Sequence, residues 1–436
     1  MIDQSLEKSN HLAGQEERSN SLPAHGLKPE RKIGPSCEAR KGVTSRNRPE
    51  IALLLYCARR RLNNEADVEL QPLIEQIEDW ERLLKISSRH LMMPLLYWHL
   101  RCAPAGIVPV AFMDRLRDYF HRNVARNLQL TAELCKLLRL FEENGIKAIP
   151  YKGPALALSL YGDTAFRQFS DLDLLIGKQD IVKATDLLAS IGYRSPYTLN
   201  SKREASYLRS KREQLFTHPG GRVYVEIHWA FAPKPLAPSL DAERFCPRLE
   251  ETSLNGIRTY ALSTEDLLLI LCVHGGKHRW ERLAWLCDIA ELIVAHPNMA
   301  WERLLEEAGV VGVRRMLLLG LLLVNDLLDV ALPEVIRKEI TADTTISALA
   351  AYVRRNLFAE ASSPPGTAES LFFNYKIRER RWDAARYCYY MTVPPTPAEW
   401  MAVDLPTNLS FLYYLVRPAR LIKKHTSLGL KRFFRV

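Results

Sequence analysis

A mixed α/β core set between helical segments is the fold class this sequence predicts, on three observations. A β-branched run beginning Ile146-Lys147-Ala148-Ile149 leads into Tyr151-Lys152-Gly153. A second apolar run, 171–176, follows eighteen residues after that glycine and carries Asp171 and Asp173. On either side of these strands, apolar residues recur every three or four positions, the period of amphipathic helices.

In chain order, residues 1–48 are rich in Ser, Asn, Glu, Lys and Arg. They bury too little apolar surface to offset chain entropy, so a disordered segment is expected. A helical subdomain over 49–145 follows, with helices read at 51–62, 70–86, 91–101 and 110–144. In the last of these, Leu128, Leu130, Leu134, Leu137, Leu138 and Phe141 make an apolar stripe, and Gly145 supplies the small residue that ends a helix. The α/β core is expected over 146–235. It has strands at 146–151, 171–176, about 214–218 and 222–229, helices at 154–161 and 179–191, and an irregular charged stretch at 200–213. A Pro-rich linker, 232–238, opens a second helical subdomain (236–360). There a strand at 258–261 is placed at the edge of the sheet, and Ser263-Thr264-Glu265-Asp266 opens a helix. A break at 361–366 begins a helix-rich C-terminal segment (361–436) that ends in a basic tail.

The chemistry gathers on the strands. Side chains at i and i+2 share one face, so Asp171 and Asp173 project together while Leu172 and Leu174 go to the other side. Two close carboxylates repel each other, and a cation between them relieves the repulsion. Hard oxygen ligands suit Mg2+ or Mn2+. On the strand at 222–229, Glu226 and His228 share a face, and Glu226 can supply a third carboxylate for metal-assisted phosphoryl chemistry. His228 reads either as a hydrogen-bonded strand histidine or as a ligand. The Lys152-Gly153 turn can bring N–H groups close to phosphate oxygens. Arg167, four residues before Asp171, and Lys152 either meet phosphate or pair with the aspartates. His274, Lys277 and His278 share a helix face if the helix survives Gly275-Gly276. That face is either solvated or presents Lys277 to the triphosphate. Asp288, inside an apolar helix, needs a cation, and Lys277 or Arg282 are the candidates.

The stretches 151–161, 166–176 and 225–229 together resemble the uncharacterised nucleotidyltransferase family within the polymerase-β-like superfamily. The likeness extends to the segment from Leu271 through Asp288, and more loosely to 77–84 and 413–418. It implies a polymerase-β-like nucleotidyltransferase core with a mixed sheet. It also implies divalent-metal-dependent transfer of a nucleoside monophosphate from a nucleoside triphosphate to an acceptor hydroxyl. One departure stands out. Where the superfamily has Gly-Ser or Gly-Gly after the first strand, this chain has Lys152-Gly153 followed by Pro154. The alternative is therefore a non-catalytic sensor or assembly module that keeps the nucleotide pocket.

Bulk properties narrow the partners. The net charge is +10, but from Arg417 onward there are seven Lys or Arg and no acid. The rest of the chain has no basic stripe, so a small molecule, sugar or protein acceptor is favoured over long nucleic acid. The tail either ends an ordinary helix or contacts an anionic membrane surface. Eight cysteines without a C-x-x-C pair point to free thiols rather than a zinc site. The N-terminus has no apolar h-region, and runs such as 316–324 are too short to span a bilayer. The expectation is a cytoplasmic protein, with peripheral membrane contact as its variant.

Overall fold

The computed structural model describes residues 48–59, 67–195, 212–218, 220–221, 223–231, 240–359, 367–394 and 412–421. The N-terminal segment before residue 48, most of the charged stretch 200–213, the Pro-rich linker, the 361–366 break and the tail beyond 421 lie outside the described residues.

Ahead of the first strand come α1 (Pro49–Tyr56), α2 (Asp67–Glu75), α3 (Trp80–Arg89), α4 (Met93–Leu100) and α5 (Val110–Glu143). The helix expected over 70–86 is two. Asp79 accepts from the N–H of Arg82 at 2.8 Å, and this N-cap starts α3 afresh. The 34 residues of α5 make a rod about 51 Å long. Its end follows the expectation for Gly145, whose φ is +68°. Ile146 N–H reaches Phe141 O at 2.8 Å and Gly145 N–H reaches Glu142 O at 2.9 Å, the paired bonds of a Schellman end. The apolar stripe is correct except for Leu128, which is 60% exposed.

The sheet is built from β1 (Ala148–Pro150), β2 (Asp171–Ile176), β3 (Glu213–Thr217) and β4 (Tyr224–His228), in the order β1-β2-β4-β3. β2 and β4 are parallel, whereas β1 and β3 run antiparallel to their neighbours, so the sheet is mixed. Helices α6 (Gly153–Tyr161) and α7 (Ile181–Ser190) follow β1 and β2. Leu172, Leu174, Ile176, Val225 and Ile227 form the back face. They share a core with Leu130, Leu134, Leu137 and Phe141 of α5 and with Ile181 and Leu188 of α7.

The strand expected at the sheet edge lies elsewhere. β6 (Ile257–Ala261) pairs with β5 (Glu250–Leu254) in a separate two-stranded sheet, which follows the short helix α8 (Ala242–Phe245). Asn255 and Gly256 join them with φ of 49° and 78°. Both central residues are left-handed, as a two-residue hairpin turn requires.

The later helices are α9 (Thr264–Lys277), α10 (Leu283–Ala295), α11 (Trp301–Val311), α12 (Arg314–Leu328), α13 (Glu334–Ala342) and α14 (Thr344–Leu357), and α9 brings His274 and Lys277 near the polar front face. Ser263 caps α9 by accepting from Asp266 N–H. Helix α9 runs unbroken through Gly275-Gly276, because the glycines answer a packing need. Arg279 and Trp280 have φ of 55° and 56°, which turns the Trp280 ring back over the helix. A Cβ on Gly275 would lie 2.2 Å from that ring, and one on Gly320 of α12 would lie 2.9 Å from it. Trp280 is fully buried. Then come α15 (Thr367–Lys376) and α16 (Arg381–Thr392), and residues 413–421 are helical as well. No described helix is long and apolar enough to cross a membrane.

Candidate active site

Strand register assembles the site. Asp173 lies opposite Glu226 in the parallel β2–β4 pair, and residues directly paired across a sheet project to the same face. Asp171, one pleat away on β2, joins them. His228 reaches across this group. Its Nε2 is 3.0 Å from Asp173 Oδ1 and 3.3 Å from Glu226 Oε2, and its Nδ1 is 3.4 Å from Glu213 Oε2. Lys152 Nζ and the Tyr151 hydroxyl each lie 3.5 Å from Asp173 Oδ1. Asp173 is only 6% exposed, while Asp171 and Glu226 are half-buried.

Gly153 begins α6 with φ +54°, and a Cβ there would come within 3.2 Å of the Asp171 carbonyl oxygen. Only glycine suits both conditions. No side chain caps this helix, so its N-terminus opens beside the start of β2. Pro154 is accommodated in the first turn but removes one N–H that could have met an anion.

The charges are strongly coupled. Burial first, and then repulsion from Asp173 and Glu226, raises the Asp171 carboxyl to about 6. Burial acts on Asp173 in the same direction, but Lys152 and His228 outweigh it and hold that carboxyl well below its usual range. His228 is disfavoured as a cation by burial, yet its hydrogen bonds to Asp173 and Glu226 raise it on balance. The His228 ring and the Lys152 ammonium thus lie against Asp173, where a bound cation would compete with them. With His228 neutral, the set Asp173, Glu226 and His228 offers ligand atoms all within 4.8 Å of one another. Two buried or half-buried carboxylates around positive charge, with Asp171 beside them, fit a hard divalent cation.

The remaining expected residues divide into two groups. His274 and Lys277 sit on α9 facing this cluster. His274 is pushed well below its usual range by burial and then by the Lys152 charge. Its ring packs 4.8 Å from His278 and 4.9 Å from Trp285. Lys277 is lowered by burial and by Arg212, against the attraction of Glu213 and Glu226. Arg167 makes its side-chain hydrogen bonds with Asp288 rather than with Asp171 or Asp173, although its charge still acts on both. Its Nε donates to Asp288 Oδ1 at 3.0 Å and its Nη2 to Oδ2 at 3.0 Å, and Tyr161 also donates to Oδ1 at 3.0 Å. The partner of Asp288 is therefore Arg167, not Lys277 or Arg282. The Arg282 guanidinium bonds the Arg89 carbonyl instead.

Tyr151 and Glu213 were not singled out by sequence, although both touch the cluster. Tyr151 is legible in retrospect, since it continues the strand that leads to Lys152. Glu213 carries no such signal, because it reaches His228 only through the β3–β4 pairing.

Residues 76–329, more than half of the chain, match a family described as an uncharacterised nucleotidyltransferase. The chain belongs to that family. Comparisons with curated proteins and with solved structures give no match.

Proposed function

From that membership we propose that the chain transfers a nucleoside monophosphate from a nucleoside triphosphate to an acceptor hydroxyl, using the carboxylates of Asp171, Asp173 and Glu226. The carrying observation is the β2–β4 register, which puts Glu226 beside Asp173 on the face that holds Asp171. A divalent cation such as Mg2+ or Mn2+, held by these three, would neutralise charge on the attacking and leaving oxygens. Lys152, at the mouth of α6, and Lys277, on the facing helix, attract the phosphates, and the Gly153 turn lets backbone come close to them. A bond forms between the acceptor oxygen and the α-phosphorus, the α–β bridging bond breaks, and pyrophosphate leaves. Buried Asp173 holds its place through His228 and Lys152. This leaves Asp171 and Glu226 as the carboxylates an incoming hydroxyl can reach to give up its proton. Arg167 serves by bracing the loop into β2 against α10.

A second reading, a nucleotide sensor, draws on Pro154 and on the cations already seated against Asp173. Radiolabelled triphosphates with magnesium or manganese separate the two. Metal-dependent pyrophosphate release that a chelator abolishes supports transfer, and saturable nucleotide binding without release supports the sensor. The acceptor classes favoured are a small molecule, sugar or protein, in a cytoplasmic setting. A peripheral membrane role rests on the basic tail alone, and flotation with anionic liposomes tests it.

A further inference from the structure

Two adjoining depressions run along the outer side of α3 and α5, with volumes of about 730 Å3 and 450 Å3. They share Tyr119 and Arg122 as lining residues. Their charge is uneven. Lys85, Arg89, Arg115, Arg122 and Arg126 line them against two acids, Glu81 and Asp118. Arg115 is paired with Glu81, Arg89 donates to the Ala359 carbonyl, and Arg126 donates to the Ser170 carbonyl. Lys85 and Arg122 are exposed and make no hydrogen bond or ion pair among the described residues. Two free cations facing one trough form an anion-attracting surface.

The inner depression is lined at one end by the residues that lead into β2. Phe169 and Ser170 line it, and Ser170 is bonded directly to Asp171. The Phe169 ring also lies 4.0 Å from the position of a Cβ on Gly153. The trough therefore abuts both the Lys152-Gly153 turn and the first residue of the carboxylate strand. From Arg115 to Arg126 the rise along α5 is about 16 Å. That length suits a compact molecule with several charges better than a long polymer.

We propose that this trough is the acceptor subsite, and that the acceptor is a small hydroxyl compound carrying two or more phosphate or carboxylate groups. The inference rests on the transferase reading but is tested apart from turnover. The anionic groups lie along Lys85 and Arg122, and the hydroxyl reaches Asp171 past Ser170. Because the attraction is largely charge with charge, binding falls steeply with added salt.

The test is equilibrium binding of two probes to the full chain at low salt, a myo-inositol trisphosphate, which keeps free hydroxyls, and a ribonucleotide trimer with a free 3′-hydroxyl. The Lys85→Glu/Arg122→Glu variant is compared with the milder Lys85→Ala/Arg122→Ala. Both sites are exposed, and a thermal melt checks the fold. Reversing two charges is expected to weaken the better-bound probe by roughly tenfold or more, and the alanine pair by less, while nucleoside triphosphate affinity stays within about twofold. Which probe binds more tightly distinguishes a compact oligoanion from a short nucleotide strand. Absence of saturable binding of either probe to the wild type overturns the proposal. So does unchanged binding in both variants, or a parallel loss of triphosphate affinity, which would place the anions in the nucleotide pocket. Since no transfer is measured, failure of the nucleotidyl-transfer reading alone would leave these binding results unchanged.

Discussion

Replacing Arg167 with methionine separates bracing from phosphate binding. In the structure Asp288 is 1% exposed and is held by a guanidinium in bidentate contact, with Nε and Nη2 each at 3.0 Å. Arg167→Met would leave that carboxylate with the Tyr161 hydroxyl as its remaining donor among the described residues. Removing one member of a buried pair costs about 3–5 kcal/mol, because an uncompensated charge stays behind. Replacing both with apolar residues of similar volume, as in Arg167→Met/Asp288→Leu, should recover much of that loss. The loop backbone keeps its anchors in either variant, since Asn123 and Asn127 donate to the Arg167 carbonyl at 3.2 and 2.8 Å. Urea denaturation followed by circular dichroism measures the cycle, and triphosphate KM is measured beside it. Bracing by Arg167 is refuted if Arg167→Met costs under about 1 kcal/mol, or if the double variant is less stable than either single one. A raised KM with unchanged stability would return Arg167 to the nucleotide.

Three further expectations concern the site and its support. The Asp171 carboxyl is raised from 3.8 to about 6, so the folded protein holds this proton more tightly than the unfolded chain. Its contribution to stability is then lost as pH rises from about 4 to about 6. Asp171→Asn should gain on the wild type across that window in denaturation measurements, and a flat difference would sink the argument. Lys277→Met should raise the triphosphate KM with the acceptor KM nearly unchanged, and Lys277→Arg should restore part of it. Unchanged triphosphate kinetics would leave Lys277 a bystander. Gly275→Ala should destabilise by about 1–3 kcal/mol, since overpacking against the Trp280 ring outweighs the gain in helix propensity. Gly309→Ala, with nothing within 4 Å of the added Cβ, should instead stabilise by up to about 1 kcal/mol. Equal melting shifts for the two would refute the packing account.

What the sequence determined by itself is local. The β2 strand at Asp171–Ile176, the Gly145 helix end and the Ser263 cap were all legible, because each depends on residues within a few positions of one another. The shared face of Asp171 and Asp173 follows from the pleat alone. The Asn255-Gly256 hairpin also had a local signal, which a strand reading beginning at Arg258 passed over. Leu128 fits the helical period but faces solvent, since periodicity marks a stripe without fixing its edge. Tertiary structure decided what crosses long separations. It chose Arg167 as the partner of Asp288, 121 residues away, it set Glu213 against His228 through strand pairing, and it spent Gly275 and Gly320 on the Trp280 ring. Carboxylate chemistry and glycine size state a need for a cation or for space. Which cation arrives, and which ring fills the space, depends on how distant segments bury their apolar faces together.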